Sequence, residues 1–450
     1  MYIYFMTLGC KVNMYDTAVM QRLFAEKGHT ISETPDNADV CVLNTCTVTS
    51  ESDSKARKAL RRLRREHPDA VIAVTGCYPQ AMPSAEALLP EADIVTGTKN
   101  RDMLPALVED FIAHRERTVY IPQYEKDDPF GQGSCRTVPG HTRAFLKIQD
   151  GCDQFCSYCM IPYARGRIRS KPPGDIKPEI AALAESGYRE IVLTGINLAF
   201  YGKGTTLDLA DAVGIAADNT GIERIRLSSL EPEMMTDALI DRLADIPKLC
   251  PSFHLSLQSG CDRTLAAMNR HYRTADYEVL VRKLRERFPG CSITTDMMAG
   301  FPGETDEDFA DSLSFAEKMR FSDMHVFPYS LREGTRAAAM EQVPERIKTL
   351  RAAQLGRLAE KMHREFLAKQ VGTTVPVLFE REKADGSHRG YAPNYTYVKI
   401  LTKNSEKSLR NQIFYVTIEK AESDCCVGTI VKDHVPAKLE GSMPSAINIF

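Results

Sequence analysis

Three cysteines stand close together in Gly151-Cys152-Asp153-Gln154-Phe155-Cys156-Ser157-Tyr158-Cys159, at a spacing of C-x3-C-x2-C. Three thiolates this close can hold three corners of a cubane iron–sulfur cluster, which leaves the fourth iron without a protein ligand and open to chemistry. Such an iron can chelate the amino and carboxylate groups of S-adenosylmethionine. An electron passed through the cluster then breaks the sulfonium C–S bond and gives a 5′-deoxyadenosyl radical. The alternatives are a disulfide and a zinc knuckle. Cytosolic thiols stay reduced, so a disulfide is disfavoured in a chain without a secretory signal. Structural zinc takes four protein ligands, typically from C-x2-C pairs, and no fourth Cys or His lies close by in the sequence.

Three further cysteines share a different regularity. Thr7-Leu8-Gly9-Cys10, Leu43-Asn44-Thr45-Cys46 and Val74-Thr75-Gly76-Cys77 each close an apolar, strand-like run. In open α/β sheets the ligand crevice lies at the carboxyl ends of the strands. Thiols distant in sequence are therefore expected on one edge, where they would hold a second cluster, again with one open iron. The plainer reading is three unrelated buried cysteines, which are common. Cys41, inside its strand, reads as core. The chain has 13 cysteines in all, an excess that asks for a metal or redox explanation rather than disulfides.

The elements that must position these thiols follow from periodicity. Strands at 2–8, 39–44, 70–75 and 93–96 alternate with helices at 15–26 (ended by Gly28), before Pro68, and through 108–112. That alternation predicts a parallel sheet with helices on its faces over 1–114. Residues 115–142, with Pro122, Pro129 and Pro139, read as a linker in which Cys135 is structural or incidental. From 143 to 370 the alternation resumes, with strands at 145–149, 190–194, 224–229, 253–258, 292–298 and 323–327 and helices such as 276–288 and 305–319. Six such units fit an open (β/α)6 barrel with its active site at the C-terminal strand ends. Those ends carry Thr194-Gly195-Ile196-Asn197, Ser228-Ser229-Leu230-Glu231, Ser256-Leu257-Gln258-Ser259-Gly260 and Gly300-Phe301-Pro302-Gly303-Glu304. Turn chemistry explains any one of them; together they favour a lined cofactor pocket. A charged helical brace occupies 344–370.

Over 371–436 the pattern changes to short β-branched strands at 373–379, 395–400, 412–418 and 427–431, which predict a small β-barrel. Tyr391, Tyr395 and Tyr397 lie there among basic residues, either as base-stacking groups or as ordinary barrel aromatics. Cys425-Cys426 reads as inert, and 437–450 as a tail. The fold class expected is α/β multidomain: a parallel α/β sheet domain, an open (β/α)6 barrel and a C-terminal β-barrel.

Net charge is −3, so the whole molecule invites no polyanion. Two basic stretches stand out, Lys55 to Arg65 and Arg165-Gly-Arg167-Ile-Arg169-Ser-Lys171; each is either a solvated face or a nucleic-acid contact. With 43% hydrophobic and 26% charged residues the chain is of the soluble class, and no apolar run is long enough to span a bilayer. The opening MYIYFMTLGC lacks a basic n-region and reads as a first strand rather than a signal peptide. The expected compartment is the cytoplasm, with no membrane partner.

The thiol loop resembles the radical-SAM superfamily signature, with Tyr158 in its aromatic slot. With both cysteine sets placed, the chain resembles the radical-SAM methylthiotransferases over almost its whole length, in TLGCKVNMYDT, VLNTCTVTS, AVTGC, KIQDGCDQFCSYCMIPYARGRIRS, IVLTGIN, LSLQSG and MAGFPGET. The resemblance implies an N-terminal domain with an auxiliary cluster, a radical-SAM barrel and a terminal TRAM-like barrel used for RNA binding. It implies two [4Fe-4S] clusters, one on Cys152, Cys156 and Cys159 and one on Cys10, Cys46 and Cys77. S-adenosylmethionine would be held by Tyr158, Thr194, Gly195, Asn197, Ser229, Glu231 and Gln258. An external electron donor is implied too. Cys261, where the family pattern has Ser, is a small departure.

The family has three branches. Two methylthiolate the adenosine beside the anticodon, bearing either an isopentenyl or a threonylcarbamoyl group; the third modifies an aspartate of a ribosomal protein. Gly9-Cys10-Lys11-Val12-Asn13 looks most like the threonylcarbamoyl branch. The expected reaction is therefore addition of a methylthio group to C2 of N6-threonylcarbamoyladenosine in tRNA, giving the 2-methylthio product. The Cys10/Cys46/Cys77 cluster would carry the sulfur, methylated by one S-adenosylmethionine, while a second is cleaved at the other cluster. C2–H is an unactivated aromatic position that no side-chain base could usefully deprotonate, so a radical route is reasonable. The basic run after Cys159 and the terminal barrel would hold the RNA. A non-catalytic RNA-binding redox sensor is the rival reading from another class.

Overall fold

Apolar strands with a helix between successive pairs build the first domain. The computed structural model describes residues 1–431 apart from 83, 132, 136–139, 381, 384 and 402–407. Six parallel strands lie in the order Thr30–Ser32, Tyr2–Thr7, Val40–Thr45, Val71–Gly76, Ile94–Thr96 and Thr118–Tyr120. The two central strands are buried at every residue, as a parallel sheet covered on both faces requires. The helices Lys11–Glu26, Ser50–Glu66 and Leu104–His114 supply the cover. Register settles where the thiols go: Thr7 pairs with Asn44 and Asn44 with Thr75. The three cysteines that follow these residues leave the sheet at one edge.

Two strands of this first domain carry no sequence signal. Thr118–Tyr120 falls inside the expected linker and pairs with Ile94–Thr96; Thr30–Ser32 pairs with Tyr2–Tyr4 at the opposite edge. Each spans three residues, too few for a periodic signal.

The second layer of architecture is the open barrel. Ala144–Lys147, Glu190–Thr194 and Arg224–Leu227 form one parallel set, and Ser229–Leu230, Ser252–Leu255, Ser292–Ala299 and Asp323–Pro328 another. The sheet is interrupted at Ser228, so the 224–230 segment serves both sets and the strands follow chain order. The helix Asp306–Met319 starts on a capping box in which Thr305 accepts from the Asp308 N–H and Asp308 accepts from Thr305. A two-residue antiparallel ladder, Gln149–Asp150 with Arg169–Ser170, ties together the two ends of the cysteine loop. The brace Glu345–Ala368 is a single helix, as expected.

The terminal domain is a closed five-stranded barrel of Thr374–Phe379, Ser387–Tyr391, Tyr397–Leu401, Cys426–Ile430 and Ile413–Ala421. Ser387–Tyr391 escaped notice because Ser-His-Arg-Gly-Tyr has no β-branched residue. Cys425 and Cys426 are buried in this barrel. The expected tail at 437–450 lies outside the described residues. Among the described residues no helix is long and apolar enough to cross a membrane.

Candidate functional site

Glycines bring the sheet-edge thiols together. Gly9 has φ +114, and a Cβ there would lie 2.7 Å from the Cβ of Cys46; Gly76 has φ +107, and a Cβ there would lie 2.4 Å from the carbonyl of Thr45. Only glycine allows such turns and such close approach, so Cys10 and Cys77 fold in against the Cys46 loop. Asn13 locks the arrangement: wholly buried, its amide donates to the carbonyls of Leu8 (2.8 Å) and Thr45 (2.9 Å). From the other side Arg332 donates to Thr47 (2.6 Å) and Asp53 (2.6 Å), pinning the residue after Cys46.

The second set sits on its own loop. Cys152 is buried, and Cys156 and Cys159 are half-buried. The Cys159 Sγ accepts from the Ile161 N–H at 3.4 Å, and the Asn197 amide reaches the Cys152 Sγ at 4.0 Å. Arg270 lies 3.3 Å from the Cys156 Sγ and 2.6 Å from Glu231. Burial pushes the Cys152 thiol up to about 11 and Cys46 to about 12, and raises Cys77 and Cys159 as well. Thiols so placed bind as thiolates only when a metal displaces their protons.

None of the 13 cysteines is in a disulfide. Among the described residues no three Cys, His, Asp or Glu side chains converge tightly enough for one metal ion. Thiols around a multi-iron cluster each meet a different iron and so stand farther apart than the ligands of a single ion.

The segments that carry the two sets are in contact. The short helix Cys77–Ala81 packs on Met160 and Ala164, the segment just after Cys159. Thr98 donates to the Ala164 carbonyl across the same boundary.

The strand-end residues supply a test of fit for S-adenosylmethionine. Thr194 Oγ1, Asn197 Oδ1 and Gln258 Oε1 are buried with no hydrogen-bond partner among the described residues. Buried polar atoms are normally paired, so three orphans at the C-terminal ends of two barrel strands mark a polar lining that suits a polar ligand. The Asn197 N–H donates to Gln149 Oε1 (2.7 Å) and the Gly195 N–H to Ser228 Oγ (3.3 Å). Ser229 is half-buried on its two-residue strand. Gln258 takes φ +68 and joins Met297's strand through Asp296 and Met298. Burial pushes Glu231 up to about 7 against the pull of Arg270. Tyr158 packs edge-on to Phe301, 6.3 Å between centroids, on an apolar floor with Met268 and Met298.

Comparison with known proteins agrees with this geometry. Residues 2–97 match the uncharacterized protein family UPF0004, and residues 146–316 match the radical SAM superfamily. The chain is 37% identical over 428 residues to the threonylcarbamoyladenosine tRNA methylthiotransferase MtaB of Bacillus subtilis, covering 93% of each. It is 36% identical over 448 residues to the tRNA-2-methylthio-N(6)-dimethylallyladenosine synthase of Maricaulis maris, covering 95% of this chain and 97% of that one. The chain belongs to the radical-SAM methylthiotransferase family. The fold is also that of the radical S-adenosylmethionine methyltransferase TsrM from Kitasatospora setae, with TM-score 0.58 at 16% identity over 75% of this chain and 77% of that one.

In this methylthiotransferase the basic run after Cys159 corrects an expectation. Arg165, Arg169 and Lys171 are buried, so they do not meet RNA. Arg165 donates to Asp16 (2.8 Å), to Asn13 and to the Cys77 Sγ (3.3 Å). Arg169 lies 4.6 Å over the Tyr124 ring, and Lys171 bonds Tyr15 (3.0 Å) and Glu179. Only Arg167 of the four is exposed. The first basic run is largely ion-paired, with Arg64 on Asp93 (2.6 Å), Arg61 on Glu91 (3.2 Å) and Lys55 on Glu51 (2.8 Å).

Tyr391 and Tyr395 are likewise committed, their rings tilted against each other at 4.9 Å with Arg143 over both and Arg226 over Tyr395. Cys261 donates to Asp308 at 3.3 Å, which a serine could also do. Asn13, Asp16, Asp150, Arg270 and Arg332 were not singled out from sequence. Asp16 stands out against its apolar neighbours, whereas Arg270 and Arg332 lie among other polar residues and carry no such signal.

Proposed function

We propose that this chain adds a methylthio group to C2 of N6-threonylcarbamoyladenosine next to the anticodon of tRNA. The observation that carries the reading is the contact between the Cys77–Ala81 helix of one cysteine trio and the Met160–Ala164 segment that follows the other. Relatives of the threonylcarbamoyl branch at 37% identity support the choice of substrate. The dimethylallyladenosine relatives, at 36% and 35%, make that adenosine the second reading.

Cys152, Cys156 and Cys159 would hold one [4Fe-4S] cluster, and Cys10, Cys46 and Cys77 the other. When bound, the first supplies one-electron cleavage of S-adenosylmethionine and the second carries the sulfur. The chain's own residues arrange the reactants. Thr194, Asn197, Ser229, Glu231 and Gln258 bind and orient S-adenosylmethionine beside Cys152. Arg270 fixes Glu231 and neutralises its charge next to the Cys156 thiolate. Asn13, Arg165 and Arg332 hold the second trio against the first, so that sulfur and cofactor approach one nucleobase together. The reaction needs an external electron donor, and a tRNA substrate supports a cytoplasmic location.

The test is mass spectrometry of tRNA nucleosides from cells with and without the gene. Loss of 2-methylthio-N6-threonylcarbamoyladenosine on deletion supports both reaction and branch. Loss of the isopentenyl analogue instead moves the protein to the second reading. No change in either turns attention to the ribosomal aspartate.

A further inference from the structure

The cation run after the thiols leaves one member outside the buried network. Arg167 keeps 53% of its side chain accessible, and its nearest anion, Asp153 at 3.4 Å, is shared with Lys203 at 3.8 Å. The guanidinium lies 5.0 Å over the ring of Phe155. That ring in turn meets Tyr163 edge-on, 6.0 Å between centroids. Tyr163 is 51% exposed, a large aromatic left in water beside buried neighbours.

Phe155 sits between Cys152 and Cys156 with φ +46, an uncommon backbone for a bulky residue. Asn269 holds it there, donating to the carbonyls of Gln154 (3.1 Å) and Phe155 (3.2 Å). A strained conformation maintained by its surroundings is characteristic of a functional loop. Tyr163 belongs to the short helix Ile161–Arg165, whose other face packs on the Cys77 helix. Two aromatic rings and a cation are thus presented next to half-buried Cys156 and Cys159.

We propose that Phe155, Tyr163 and Arg167 form a stacking platform for unpaired bases of the RNA loop that carries the target adenosine. The proposal rests on the tRNA reading above. Proteins that hold single-stranded RNA combine aromatic faces with cations that track the backbone. Arg167 can serve both needs, through its plane and its charge. The platform takes over the RNA contact that the buried Arg165, Arg169 and Lys171 cannot make.

The experiment measures binding of a labelled anticodon stem-loop to reconstituted holoenzyme, with a fully paired RNA of equal length alongside. Tyr163→Ala and Arg167→Ala are each expected to weaken stem-loop binding about fivefold or more, the scale of one lost base contact, while Tyr163→Phe stays within about twofold. Arg167→Ala also lowers the salt slope of binding by about one. Iron content and circular dichroism check that each variant is folded. Unchanged stem-loop affinity in both alanine variants overturns the platform alone. A wild-type enzyme that ignores the stem-loop overturns the RNA reading beneath it.

Discussion

The Nε of Arg165 lies 3.3 Å from the Sγ of Cys77, so a cation that follows one thiol trio touches a thiol of the other. The same guanidinium is wholly buried and pairs with Asp16 at 2.8 Å and Asp150 at 3.4 Å. Lys147 closes the ring, 2.6 Å from Asp16 and 2.9 Å from Asp150. Arg165→Met keeps bulk but strands two buried carboxylates with one fewer cation, a loss of about 3–5 kcal/mol for breaking a buried pair. The urea midpoint is expected to fall and iron to be lost from the Cys10/Cys46/Cys77 set. Arg165→Lys preserves charge without the fork; it should retain more iron but shift that cluster's reduction potential, since hydrogen bonds to the sulfurs help set it. Wild-type stability in Arg165→Met would show that the pair is not a fastening.

Separate roles for the two trios give the second prediction. Cys152→Ala removes a ligand at the cofactor end and should abolish 5′-deoxyadenosine formation. Cys46→Ala leaves that end intact, so some abortive cleavage should continue without methylthiolated product. Chromatography of deoxyadenosine beside nucleoside analysis separates the two. Full product formation by Cys46→Ala would sink the two-trio mechanism.

Much of this was legible in the chain because the thiols come in patterns. Cys10, Cys46 and Cys77 each end a strand, and a parallel sheet sends strand ends to one edge; the Thr7, Asn44 and Thr75 register is that rule in atoms. The strand-end polar groups were legible for the same reason, and Thr194, Asn197 and Gln258 keep unpaired oxygens there. What sequence could not give was the pairing of charges between domains. Arg165 and Arg167 sit two apart in one basic run, yet one is buried against Asp16 from helix Lys11–Glu26 and the other is exposed. That difference is set by which surface the neighbouring domain covers. The three-residue edge strands were hidden for another reason, being shorter than the about four or more residues over which strand alternation is read and lacking the apolar run that marks 93–96.

Asp16 and Asp150 also set an acid limit. Burial works against both charges. Arg101, Lys147 and Arg165 outweigh it at Asp16, and Lys147, Arg165 and Arg169 at Asp150, so both carboxyls are held below their usual range. An unfolded aspartate titrates at about 3.9. With the folded values depressed, this stabilisation is fully present above about pH 4 and is lost as pH falls through the folded values. Asp16→Asn should flatten the acid limb of the stability curve while lowering stability at neutral pH. Thermal unfolding across the acid range reads both effects, and an acid limb as steep as wild type in Asp16→Asn would place the titration elsewhere.

The terminal barrel hangs on Arg226. Its Nε is 2.6 Å from Glu190, its two terminal nitrogens donate to the carbonyls of Pro393 and Ala392 at 2.7 Å each, and its plane covers Tyr395 at 4.5 Å. One side chain thus bonds one oxygen of a buried carboxylate in the open barrel and two carbonyls of its neighbour. Arg224 assists, donating to Tyr391 (3.0 Å) and Pro376 (2.8 Å), but stands 3.7 Å from Glu190. Arg226→Ala leaves Glu190 with that weaker partner, at a cost of about 3–5 kcal/mol. The terminal barrel is expected to undock, with faster proteolysis after the brace Glu345–Ala368 and weaker tRNA binding. Cleavage of S-adenosylmethionine without RNA should persist, because both trios lie on other segments and Glu190 begins the strand whose far end carries Thr194. Proteolysis at the wild-type rate in Arg226→Ala would mean that Arg224 and the tyrosine stack suffice to hold the domain.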